Sequence, residues 1–246
     1  MFLDAEARLI TFRILYAGPP GASKLTALRT MQRALPGRRR GKLFVYHVEG
    51  AQVASLPWCP AADEELLGCR VGYEIVTIPG KGAPLGTEEL LLRAADAVVF
   101  LPERGDPAGE PSRRALEELV GRLAALGRDP ESFPLVVQGY ADGPPGVRLW
   151  DGLEEVWPDK ASVDVAGDER SGIMRVFEDV RSRLERTCQE MERREGRERT
   201  LRRLRGRTLP MPGGGEWMRT STWSVILYWV LLAAAAAGAF LVSITV

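Results

Sequence analysis

The chain has 246 residues, with 33 lysines and arginines against 33 aspartates and glutamates, so its formal net charge is zero. That balance hides a mildly acidic body followed by a basic segment, Arg193 to Arg219, with nine arginines and three acidic residues; such a split points to a membrane surface and not to nucleic acid. Cys59, Cys69 and Cys188 form no metal-ligand spacing and suit a reducing cytosol, and the lone histidine, His47, sits in an apolar run, so hydrolase and zinc chemistry lack their usual residues.

The predicted elements alternate. Phe12 to Ala17 is a short apolar run stopped by Gly18-Pro19-Pro20-Gly21, which reads as a buried strand and a turn. Leu25, Leu28, Met31 and Leu35 recur at helical spacing and are closed by Pro36-Gly37. Leu43 to Val48 reads as a second strand. Glu49 to Arg70 is rich in Pro, Ala and acidic residues without clear periodicity, and reads as a loop. Tyr73 to Ile78 reads as a third strand, stopped by Pro79-Gly80. Thr87 is placed as the N-cap of a helix through Ala95, and Ala97 to Leu101 is a very apolar strand. Leu116, Leu119, Val120, Leu123 and Leu126 mark a helix closed by Gly127. Leu135 to Gln138 and Ser162 to Val165 read as two more strands. Ile173, Val176, Phe177, Val180, Leu184, Cys188 and Met191 line one face of a last helix, which Gly196 weakens or ends.

Past the arginines, the 24 residues Trp223 to Val246 carry no charge. About 20 apolar residues cross a hydrocarbon core of about 30 Å, so this stretch reads as a membrane span. Basic residues flanking a span stay on the cytoplasmic side. The expectation is a single-pass C-terminal anchor with the N-terminal domain in the cytosol. Arg202, Arg203, Arg205 and Arg207 either touch anionic headgroups or form a solvated linker.

Short apolar strands alternating with amphipathic helices predict an α/β domain with a largely parallel sheet covered on both faces. Ligands in such sheets bind beyond the carboxyl ends of the strands. That edge carries Gly18 to Ser23, Pro79-Gly80, Pro102-Glu103 and Gly139-Tyr140. Gly18 to Thr26 also aligns with the phosphate-loop pattern G-x-x-x-x-G-K-[ST] between a strand and a helix. Gly18 and Lys24 fall on its first glycine and its lysine. Ser23 replaces the second glycine, and Leu25 stands where a hydroxyl would hold magnesium. Thr26 comes one place late, about 100° further round the helix.

Ile14 to Pro19 with Lys24, Thr26 and Leu28 resembles the phosphate loop of the bacterial Ras-like gliding GTPases, the MglA family. Ile75-Val76-Thr77-Ile78-Pro79-Gly80 is similar to that family's strand ending in Thr-Val-Pro-Gly-Gln. Leu91 to Phe100 resembles the helix and strand that follow. Pro134 to Gln138, then Asp142, sits where the family reads guanine. The resemblance runs over roughly residues 8–190. It implies a Ras-like P-loop GTPase fold, with Gly18, Gly21, Ala22, Ser23, Lys24, Leu25, Thr26, Gly80, Lys81 and Asp142 around a nucleotide.

Against that family, the glutamine that orients the attacking water is Lys81. Thr77 stands where Ras-like proteins place a magnesium-linked aspartate, although this bacterial branch also has threonine. Asn-Lys-x-Asp becomes Gly139-Tyr140-Ala141-Asp142, and the switch segment is shortened to Pro36 to Lys42. The expectation is therefore a degenerate GTPase-like domain over 1–192, an Arg-rich linker over 193–222 and an anchor over 223–246. GTP or GDP is expected to bind weakly, with Thr26 as the side chain able to take over magnesium and with no catalytic residue. Such a chain would work as a membrane-bound adaptor or scaffold, in bacterial polarity or motility by the resemblance. The partners expected are membrane lipid and an unidentified protein, not nucleic acid. The competing readings are a slow, GTP-binding membrane switch, and an unrelated α/β domain in which Gly18 to Lys24 is a plain strand–helix turn.

Overall fold

A computed structural model describes residues 1–36, 41–48, 51–60, 65–78, 86–103, 109–129, 132–138, 162–163 and 169–205. Its elements in chain order are β1 (Phe2–Asp4), β2 (Leu9–Ala17), α1 (Lys24–Ala34), β3 (Phe44–Val48), β4 (Ala51–Trp58), β5 (Glu65–Leu66), β6 (Cys69–Thr77), α2 (Thr87–Ala94), β7 (Ala97–Phe100), α3 (Glu110–Ala125), β8 (Leu135–Gln138), β9 (Ser162–Val163), α4 (Glu169–Glu195) and α5 (Arg197–Arg205).

The strands form one sheet in the order β3-β4-β6-β2-β7-β8-β9, with β1 on β2 and β5 on β6. From β6 to β9 the ladder is parallel, while β3, β4, β1 and β5 pair antiparallel. Strand side chains alternate between faces, and the two cores follow that period of two. Ile10, Phe12, Ile14 and Tyr16 of β2 join Tyr73, Ile75 and Val99 under α1, α4 and α5. Leu15 and Ala17 join Val76, Val98, Phe100 and Val137 under α2 and α3. The architecture is thus a mixed α/β sheet with helices on both sides, which fits a Ras-like fold.

The long helix behaves as its stripe predicts. Ile173, Val176, Phe177, Val180, Leu184 and Cys188 are all buried. Phe177 meets Trp58 and Tyr73 edge-on at 5.4 and 5.6 Å, and the Tyr73 hydroxyl donates to Glu185 at 2.5 Å. Gly127 also takes the left-handed conformation expected after α3, at φ +69°. α2 begins at Thr87 itself, with Gly86 in the N-cap position.

The N-cap expected at Thr87 thus falls on Gly86, and the sheet expected to be largely parallel is mixed, because β1, β3, β4 and β5 pair antiparallel among the described residues. Two further expectations fail. The stretch Glu49 to Arg70 is not a loop, since it contains β4, β5 and the start of β6. Ala54, Leu56 and Trp58 alternate into the core, but the alanines and Pro57 mask that pattern. β3 pairing ends at Phe44 opposite Ser55. Pro57 therefore sits at an edge position on that side, where a missing N–H breaks no ladder bond. β5 and β6 are joined by Leu67 and Gly68 at φ +54° and +64°, the left-handed pair of a tight hairpin.

The second failure is the linker boundary. α4 runs to Glu195, and Gly196 at φ +79° turns the chain into α5. Thr200 and Leu204 of α5 are fully buried, and α5 packs on β1. The folded unit therefore extends to Arg205, past the expected boundary at 192. Among the described residues no helix is long and apolar enough to cross a membrane. The expected anchor, 223–246, lies outside the described residues.

Candidate functional site

β2 and β7 are parallel neighbours, and the chain leaves β2 at their carboxyl edge through Gly18 to Ser23 before entering α1. Gly18 has φ +148°, and a Cβ there would lie 2.1 Å from the carbonyl oxygen of Leu101. Only glycine lets the loop pass beneath the exit of β7. Pro19 and Pro20 have no amide hydrogen to offer a ligand. The Ala22 amide donates to the Pro19 carbonyl at 3.0 Å and the Lys24 amide to the Ala22 carbonyl at 2.8 Å. Two further loop donors are thus engaged within the loop.

Lys24 folds over the same turn. Its Nζ donates to the carbonyls of Gly18 at 2.8 Å and Pro19 at 3.0 Å, leaving one of three N–H bonds. Burial pushes its ammonium down to about 8 from the ordinary 10.5. That N–H, the amides of Gly21 and Ser23, and the first turn of α1 remain to meet an anion.

The metal positions fare differently. Leu25 is half-buried and packs against the α1/α4 core. Thr26 is exposed. The hydroxyl of Thr77, at the end of β6, accepts the Ala54 amide at 2.8 Å and so joins β4 to β6. Among the described residues the loop fits a phosphate group in part and offers no magnesium hydroxyl at position 25. Gly80, Lys81 and Asp142 lie outside the described residues.

The structure brings together Gly18, Gly21, Ala22, Ser23 and Lys24, and it adds Glu103. A Cβ on Gly21 would lie 2.3 Å from Glu103 Oε1. Glu103 is on the ligand edge by sequence, but no motif marks it. Gln138, the last residue of β8, is fully buried, and neither end of its amide has a hydrogen-bond partner among the described residues.

Over 137 residues the chain is 27% identical to the mutual gliding-motility protein MglA of Myxococcus xanthus (strain DK1622), covering 56% of this chain and 70% of that protein. It is a distant relative of MglA. No protein-family model matches it. The relationship agrees with the P-loop placement of Gly18 to Thr26.

Proposed function

We propose that this distant MglA relative is a membrane-tethered, small-GTPase-like adaptor in motility, and that it works by binding a protein partner and not by turning over nucleotide. The observation that carries the reading is the state of the loop. Two of its amides and two N–H bonds of Lys24 are held by the loop's own carbonyls, and Leu25 is packed where a metal hydroxyl would stand. Phosphoryl transfer depends on positioning and on charge neutralisation around magnesium. With those donors held inside the loop and no metal hydroxyl at position 25, the loop keeps amides for an anion but supplies little charge neutralisation. The membrane tether rests on the uncharged stretch Trp223 to Val246 and the arginines before it. Motility is the role named for the relative.

Turnover tests the reading. The full-length chain in detergent should hydrolyse GTP at or below the intrinsic rate of small GTPases, on the order of 10⁻⁴ per second. A rate on the order of 1 per second that is lost in Lys24→Ala would show a working enzyme.

A further inference from the structure

The segment leaving β7 lies across the phosphate loop and is fixed at both ends of its path. The Leu101 amide donates to the Ala17 carbonyl at 2.8 Å. Two residues on, the Glu103 amide donates to Ser112 Oγ at 2.8 Å. Ser112 is fully buried in the first turn of α3. From the second anchor the Glu103 side chain is laid against Gly21. A Cβ there would lie 2.3, 2.9 and 3.1 Å from its Oε1, Cδ and Cγ. The Gly21 amide is one of the donors that the loop leaves open to an anion.

We infer that Glu103 is a built-in anionic occupant of the loop's mouth and the residue that sets its affinity for phosphate. The inference rests on the reading of Gly18 to Thr26 as a phosphate loop. A helix N-terminus with open amides creates a positive potential that favours a negative group. The Glu103 carboxylate takes up part of that potential from within the chain. An entering phosphate meets a like charge at Gly21, and must turn Glu103 aside to reach the amides. Ser112 acts as a positioning residue, because it holds the backbone from which the carboxylate reaches Gly21. The ligand class is the terminal phosphates of a nucleoside di- or triphosphate.

The test is titration of GTP and GDP into the full-length chain in detergent, as wild type, Glu103→Gln, Glu103→Ala and Glu103→Gln with Lys24→Ala. Glutamine keeps the size and removes the charge, so Glu103→Gln should bind at least tenfold more tightly than wild type. Glu103→Ala should gain as much or more. The gain should shrink with added salt, because it comes from a charge, and it should vanish when Lys24→Ala is added. Affinities within twofold of wild type in both single variants, at unchanged thermal midpoints, would overturn the inference. So would undetectable binding in every variant, although the adaptor reading would then stand. Submicromolar, magnesium-dependent binding by the wild type would instead defeat the adaptor reading, and the Glu103 comparison would still be read on its own.

Discussion

Replacing Lys24 should change how stability depends on pH. The folded chain holds this lysine near pH 8, and in the unfolded chain it titrates near 10.5. Below pH 8 both states carry the ammonium, so the fold bears the full cost of burying it. As pH rises from 8 to 10.5, the folded state releases the proton while the unfolded state keeps it. Stability from this group therefore rises with pH across that window. A shift of this size is worth about 3 kcal/mol in full, of which about 2 kcal/mol should be gained between pH 7 and pH 9.5. Lys24→Met has the same reach and no charge. The assay is urea unfolding of wild type and Lys24→Met at both pH values. Other titrating groups cancel in the difference between the two proteins. The methionine variant's advantage should shrink, or its deficit grow, by about 2 kcal/mol on going to pH 9.5. A difference that stays constant within about 0.5 kcal/mol would refute the buried, internally bonded lysine.

Other substitutions separate the parts of the account. Gly18→Ala drives a methyl group into the Leu101 carbonyl and should cost upwards of about 2 kcal/mol in chemical denaturation, while Gly21→Ala meets only the end of the Glu103 side chain and should cost under about 1 kcal/mol. Leu204→Ala should cost about 2–5 kcal/mol by the same assay, because Leu204 is fully buried; a solvated linker would give no change. Truncation before Thr220 should move the chain from the membrane pellet to the soluble fraction with its circular dichroism intact, and a truncated chain that still pellets after a salt wash would show a second anchor.

What the sequence made legible, and what it hid, follows the physics of each segment. Ala97 to Leu101 and the Ile173 to Met191 stripe are apolar enough that burial alone fixes their type, and Gly127 marks a helix end because a left-handed residue is needed there. β4 escaped because both of its faces are covered, with Ala54 and Leu56 in one core and Val53 in the other, so no polar alternation marks it, and because Pro57 reads as a breaker unless the end of β3 pairing is known. α5 escaped because its arginines dominate the composition, while the two residues that dock it, Thr200 and Leu204, sit one helical turn apart. At the site, the loop was legible from the spacing of Gly18 and Lys24. The pairing of the Lys24 ammonium with two loop carbonyls was not, nor was the Thr77 hydroxyl's place in the sheet. Glu103 could be placed on the ligand edge from the strand order expected. Its contact with Gly21 depends on Ser112 and the β7 exit, which lie far along the chain from the loop.

We propose that this loop holds a magnesium-bound nucleotide weakly at most. Isothermal titration of GTP, GDP and ATP into the full-length chain in detergent, with and without magnesium, tests it most directly. Binding should be no tighter than about micromolar, about −8 kcal/mol, nearly independent of magnesium, and similar for GTP and ATP. Submicromolar binding that requires magnesium and selects guanine would contradict the account, and would mean that Thr26 or another side chain holds the metal in a working switch.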